Sequence, residues 1–172
     1  PFAQDENSNV TIYAENIEDL SGEIILQADN DITVNEKIET DSSVEIKAGR
    51  TININADIDT STGNGNIILF GNDNNANIKN RSDGAASINQ QEGTTLNAGN
   101  GTIAIRLGGL GEIGDINLAN LTTEGRVILN ANSGKITQVS SDSLIAADTI
   151  LLRTRGQGGI GLSENPLRLD VN

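Results

Sequence analysis

The chain has 172 residues, 24 acidic side chains against 11 basic ones, a formal net charge of −13, only 2% aromatic residues, and no Cys, Met, Trp or His. This composition excludes disulfides and thiolate metal sites and removes the commonest general base and metal ligand. It also argues against nucleic acid, which calls for a basic footprint, and no apolar run approaches the roughly 18 residues that span a bilayer, so the chain is expected not to be membrane-spanning.

Residues 1–9 are polar and without period, and read as a linker. The first residue is Pro1 and no signal peptide is evident, so the chain is read as a processed product or one unit of something longer. Val10, Ile12, Ala14 and Ile17 read as a partial first turn, and residues 19–22 as a corner. Residues 23–60 then carry one pattern written twice. Ile24, Leu26, Ala28, Ile32, Val34 and Ile38 are followed, about 20 positions on, by Val44, Ile46, Ala48, Ile52, Ile54 and Ile58, a period in the range of stacked repeats. Pairs spaced by two place both side chains on one face of a strand. Each copy therefore predicts two or three very short strands joined by corners. None could bury its apolar face alone, so successive copies must stack.

After a polar corner at 57–65 the pattern resumes at Ile67 and Leu69. Residues 71–97 form an irregular turn or side loop. Its first part, 71–81, is rich in Asn and Gly with Ala76 and Ile78 as inward candidates, and 87–97 is a further irregular turn with Ile88 and Leu96 inward. Regularity returns at Ile103 and Ile105, breaks at glycines 108, 109, 111 and 114, and continues through Ile116, Leu118 and Leu121. The next turn carries Val127, Leu129, Ala131, Ile136 and Val139, and the last runs from Leu144 through Ile150 and Leu152 to Ile160. Residues 165–172 predict a terminal strand that leads to the next unit. Leu167, Leu169 and Val171 alternate there, with Pro166 at the start, where a missing N–H is tolerated. No segment sustains apolar residues at i, i+3, i+4 and i+7, so no helix is expected. The fold predicted over 1–172 is all-β: a single-stranded parallel β-helix, or solenoid, of roughly eight turns with about 20 residues each. At the sheet spacing of about 4.8 Å it would be a rod near 40 Å long.

The closing run from Ile150 to Val171 contains the corner Gly158-Gly159-Ile160-Gly161 followed by Asn165-Pro166-Leu167-Arg168-Leu169-Asp170-Val171. It resembles the shaft repeats of filamentous-haemagglutinin-like exoproteins. The turn Arg126-Val127-Ile128-Leu129-Asn130-Ala131-Asn132-Ser133-Gly134-Lys135-Ile136 is similar to that family's repeats, and the resemblance covers most of the chain from Val10 onward. It implies a right-handed β-helix, secreted by bacteria through a two-partner secretion route, extracellular or on the cell surface, serving as an adhesin, biofilm scaffold or stalk. The family's secretion-signal and effector domains are not evident. In such shafts the Asn-Pro-Leu-Arg segment leads through a polar linker into a strand like Asn9-Val10-Thr11-Ile12-Tyr13. The end of this chain would thus join its own beginning, and the expected partner is the chain itself, as tandem units or subunits stacked head to tail. Strand edges exposed at uncapped ends favour this, and no cap is visible in the sequence.

No residue is singled out as catalytic, cofactor-binding or metal-ligating. Carboxylates for sugar cleavage are available at Asp57, Asp59, Glu112, Asp115 and Asp170, but no two recur at equivalent positions, and Phe2, Tyr13 and Phe70 are the only rings; no enzyme is expected. Calcium is the alternative ligand, with hard oxygens at Asp29-Asn30-Asp31, at 72–75 and at Asp142. Residues 63–67 partly match a calcium-binding nonapeptide, although the same residue types simply favour turns. Glycines 108–114 lack the Lys-Ser/Thr ending of a phosphate loop, and Thr94-Thr95 and Thr122-Thr123 form no repeating threonine ladder. Asn53 and Asn55 alternate with inward Ile52 and Ile54 and point outward, as a structural ladder or an adhesive surface. The expected function is a structural shaft segment. The alternative is an adhesin module that recognises glycan or a host protein through the 71–97 excursion.

Overall fold

The computed structural model describes residues 13–18, 20 and 22–171. The 1–9 linker, Phe2, Val10, Ile12 and most of the strand read at residues 9–13 lie outside these residues, as do Asp19 and Asn172.

The chain winds through six turns, each contributing one strand to each of three parallel sheets, except where the last turn makes only an isolated bridge. Sheet A stacks β1 (Ile24–Ala28), β4 (Val44–Ala48), β7 (Ile67–Gly71), β10 (Ile103–Leu107), β13 (Arg126–Asn130) and β16 (Thr149–Arg153). Sheet B stacks β2 (Ile32–Val34), β5 (Ile52–Ile54), β8 (Ala86–Gln90), β11 (Ile113–Leu118) and β14 (Ile136–Gln138). Sheet C stacks β3 (Ile38–Glu39), β6 (Ile58–Asp59), β9 (Thr95–Asn97), β12 (Asn120–Thr122), β15 (Ile145–Ala147) and β17 (Leu169–Val171). The protein is a parallel β-solenoid, as the two-residue alternation predicts. The turn count is six rather than eight, because turns three and four absorb the long irregular segments that the spacing alone assigns to separate turns.

The register explains why the first two turns are the most legible. Ile24 pairs with Val44, Ile32 with Ile52 and Ile38 with Ile58, all at the same separation. Later insertions fall in corners, apart from a bulge in β11 between Ile113 and Ile116 against β8, so the inward columns of sheets A and C continue unbroken. One runs Ile24, Val44, Ile67, Ile103, Val127, Ile150. Another runs Ile38, Ile58, Leu96, Leu121, Ile145, Leu169. From turn two to turn five nearly every member is fully buried. Each is worth about 1.5–3 kcal/mol of burial, and β-branched side chains suit strands enclosed in parallel sheets. The corners are equally tight. A Cβ on Gly63 would stand 1.8 Å from the Asp41 carbonyl oxygen of the turn before, so only glycine fits there.

Several expectations are corrected. Residues 86–97 are not irregular: Ile88 and Leu96 sit in register, fully buried, in β8 and β9. Only 72–85 leaves the solenoid. Ile78 lies in a short 3₁₀ turn (Ile78–Asn80) and is 57% exposed, whereas Ala76 is buried as expected. Val139 is exposed at a corner, and the inward residue of β15 is Ile145. Ile160 keeps its inward place in the sheet B column, bridged to Ile136, and is exposed because it ends that column among the described residues. No helix is expected from the sequence, yet residues 15–18 form one helical turn, α1 (Glu15–Glu18). Ile17 is buried in the core at that end, and the Ala14 N–H donates to Glu36 Oε2 at 3.2 Å. This end is therefore capped in part by its own chain. At the other end β17 is shorter than the strand read at 165–172, and Leu169 and Val171 are exposed.

Candidate functional site: the strap and the polar ladders

Outside the core, two constructions are built from specific polar side chains. The first is the strap, residues 72–85, which leaves sheet A after β7 and rejoins at β8. It runs back across the corners of turns one and two. The Asp29 carboxylate accepts from the Asn77 N–H at 2.9 Å and from Asn80 Nδ2 at 2.8 Å. Asn30 and Ser82 bond reciprocally, at 3.0 and 3.2 Å. Arg50 is clamped to Asp31, with Nε donating to Oδ1 at 2.8 Å and a second, short bond from NH2 to Oδ2, and its NH1 donates to the Asp83 carbonyl at 2.8 Å. Arg81 Nε reaches the Gly49 carbonyl at 2.9 Å. Toward turn four, Asn72 Nδ2 donates to the Gly108 carbonyl and the Gly109 N–H donates to Asn74 Oδ1. Ala76 closes the underside, and Gly49 must be glycine because a Cβ would lie 2.6 Å from the Ala76 Cβ. The strap thus ties four turns together.

These bonds settle where the calcium candidates stand. The oxygens of Asp29 and Asp31 already face amide and guanidinium donors. Burial acts to raise the Asp31 carboxyl, but hydrogen bonds from Arg50 and Thr51 and the charges of Arg50 and Arg81 outweigh it and hold it below its ordinary value. At 72–75 the only carboxylate is Asp73. Its Oδ1 accepts from the Asn75 N–H and Nδ2, while its Oδ2 and Asn72 Oδ1 are enclosed without a hydrogen-bond partner. Asp142 is an exposed corner residue. Among the described residues no three acidic side chains converge in a way that could hold a metal ion.

The second construction is a ladder on the outer face of sheet B. Asn53 Nδ2 lies 3.5 Å from Thr33 Oγ1, Asn89 Nδ2 donates to Asn53 Oδ1 at 3.1 Å, Asn117 Nδ2 to Asn89 Oδ1 at 2.9 Å, and Thr137 Oγ1 to Asn117 Oδ1 at 2.6 Å. Asn55 donates likewise to Asn35 at 2.9 Å. The outward direction read for Asn53 and Asn55 holds, and the ladder crosses five turns.

The carboxylates weighed for sugar cleavage do not come together in a cleft. Asp57 accepts from the Thr95 N–H at 2.8 Å and Asp115 from the Lys135 N–H at 2.7 Å, each holding the next turn. Asp59 accepts from the Ser61 N–H and hydroxyl and from Asn97. Its burial acts to raise the carboxyl, but those bonds and the Lys37 charge prevail and depress it. Glu112 and Asp170 are exposed. Thr123, one of the paired threonines, points inward to the Gly99 and Gly101 carbonyls, and Thr94 to the Gln91 carbonyl. Glycines 108, 109 and 111 lie in the corner that leads into β11, which itself contains Gly114, and a strand rather than a helix follows. Residues 63–67 bracket a corner in which Asn64 (φ 56°) and Asn66 accept from the Asn100 and Thr102 N–H groups.

Sequence reasoning missed two inward glutamines. Gln90, only 3% exposed, replaces the inward aliphatic above Ile54. Its Nε2 donates to the Thr94 and Asn120 carbonyls and its Oε1 accepts from the Ala119 N–H, all at 3.0 Å. Gln138 stands likewise above Leu118 and accepts from the Arg168 N–H at 2.6 Å. The spacings Ile88-x-Gln90 and Ile136-x-Gln138, which copy Ile52-x-Ile54, are the signal that marks them.

Comparison with known proteins finds no family model that matches this chain, no curated protein that matches it in sequence and no solved structure that matches it. Among the described residues no helix is long and apolar enough to cross a membrane.

Proposed function

We propose that this chain is a non-catalytic structural segment of an extended β-solenoid, the shaft of a secreted bacterial fibre or filamentous adhesin, whose units are joined or stacked end to end. The observation that carries this reading is the pair of continuous structures parallel to the axis: aliphatic columns inside and side-chain ladders outside, both running rung over rung. Such a body resists extension because pulling it apart along the axis breaks backbone ladders and buried columns together. Its last turn presents Ile160, Leu162, Leu169 and Val171 to solvent, and β16 and β17 each pair with one neighbour only, which suits continuation by a further turn. The resemblance of residues 150–171 to haemagglutinin-like shaft repeats supports the extracellular setting.

The strap bears on the alternative, an adhesin module that binds glycan or host protein through 71–97. The side chains of Asn72, Asn74, Asn80, Arg81 and Ser82 are committed to turns one, two and four, which favours the shaft. Negative-stain imaging of the purified chain over a concentration series tests the reading. Uniform rods that lengthen with concentration are expected, and compact particles of constant size would overturn it. A glycan-array signal lost on shortening the strap would favour the alternative.

A further inference from the structure

The outer face of sheet A differs from those of the other two sheets. Its central outward column, rung by rung, is Ile25, Glu45, Ile68, Ala104, Ile128 and Leu151. Five of the six are apolar although they point away from the core: Ile25 and Leu151 are 48% and 45% exposed, Ile68 and Ile128 are half-buried, and the small Ala104 is buried between its larger neighbours. The sheet B ladder, by contrast, is polar and bonded to itself. The column beside it runs Gln27, Lys47, Phe70, Arg106, Asn130, Arg153, and Arg126 lies on the other flank, paired with Thr149. Charge is segregated along this face. Glu45 and the exposed Glu23 stand at turns one and two, with Lys47 bonded to Glu45 at 3.0 Å. Arg106, Arg126 and Arg153 stand at turns four to six, exposed and in no salt bridge among the described residues. Strands β7, β10, β13 and β16 contain no carboxylate, although Glu124 and Asp148 lie at the corners that lead into β13 and β16.

From this geometry we infer that the outer face of sheet A is a self-complementary surface that pairs two copies of this chain side by side and antiparallel, about a two-fold axis. Reversing one rod over the other sets turn six over turn one, five over two and four over three. Leu151 then meets Ile25 of the second copy, Ala104 meets Ile68, and Arg106 faces the Phe70 ring, a cation–π geometry. Arg126 comes diagonal to Glu45. A parallel face-to-face arrangement would instead set the arginine-bearing ends over one another. Each interaction occurs twice, as an isologous contact requires. Five rung gaps of about 4.8 Å and strands about 17 Å long give roughly 400 Å² per copy, half of a standard interface, so the pairing is weak and concentration-dependent. It is lateral, and does not rest on the end-to-end stacking proposed above.

The test uses sedimentation velocity on the wild-type chain, Arg126→Glu, Glu45→Arg and an equimolar mixture of the two variants. Each variant alone is expected to associate about tenfold more weakly than wild type, because like charges now face each other twice. The mixture is expected to recover, since both pairs in the mixed dimer are again opposite in charge. A wild type that stays monomeric, unchanged association in the variants, or no recovery on mixing would each overturn the proposal. Because Glu45 is partly enclosed, a second arm that leaves it in place uses Ile25→Cys and Leu151→Cys in this cysteine-free chain. Mixed oxidation is expected to give the cross-disulfide between the two variants; only like-with-like disulfides would sink the antiparallel arrangement.

Discussion

The first two turns and the last two share the same inward columns but are held together differently. Turns one and two repeat in strict register, are capped by Ile17, and are bound by the strap through Asp29, Asn30, Asp31 and Arg50. Turns five and six lie beyond the strap's anchors. Both ends carry half-buried aliphatics, Leu26 and Ile32 in turn one and Ile150, Leu152 and Leu167 in turn six, so the strap and the Ile17 cap are what set them apart. In a solenoid, stability is close to a sum of turn and interface contributions. The difference teaches that this rod is graded along its axis and opens from the turn-six end first.

The sharpest way to break that comparison is in the core. Ile52→Ala removes a fully buried side chain in turn two and is expected to cost about 2–5 kcal/mol. Leu152→Ala, at the half-buried end of its column, is expected to cost less than about 2 kcal/mol. Urea unfolding followed by circular dichroism checks both, and equal costs would contradict the gradient. The next effect is in the strap. Asp29→Ala leaves the Asn77 N–H and Asn80 amide without their acceptor and should cost about 1–2 kcal/mol. Hydrogen exchange should quicken at 77–82 and in the corners of turns one and two, and stay unchanged in residues 149–171.

Acid acts in the same place. Asp31 and Asp59 are held below the ordinary carboxyl value. The stability they contribute is therefore complete above about pH 4 and is lost as pH falls through their folded-state values. Amide NMR during acidification should show the strap and the corner after β6 disturbed before turns five and six. The smallest effect is in the outer ladder. Asn89→Ala interrupts it at one rung on a partly solvated face and should lower stability by about 0.5–1.5 kcal/mol; no change in the unfolding midpoint would mean that the ladder contributes nothing.

What could be read in advance followed from how strongly each residue is constrained. Ile and Val at every second position are legible because burial between parallel sheets leaves little choice, and nearly all of the inward residues named for turns one to five were correct. The strap's anchors were not legible. Asp29 looks like a turn or calcium residue until the chain some 50 positions later is seen to fold over it, and Asp31 until Arg50 of the next turn is seen to clamp it. Gln90 and Gln138 were passed over because a polar side chain at an inward position gains its place only from corner carbonyls that local sequence does not show. Val139 shows the converse: apolar character alone does not say that a residue at a corner points inward. Ile160 does hold the inward position, bridged to Ile136, and is exposed only as the last member of its column. Ile17 was correctly read as apolar and inward, but its helical turn is too short to announce itself by period.

The most direct measurement is a distance between spin labels at Thr33→Cys and Thr137→Cys, outward on sheet B in turns one and five. With no native cysteine to interfere, double-resonance spectroscopy is expected to give a narrow distribution near four rung spacings, about 19 Å. A broad distribution, or one centred beyond about 30 Å, would mean that these turns are not stacked on one another as described.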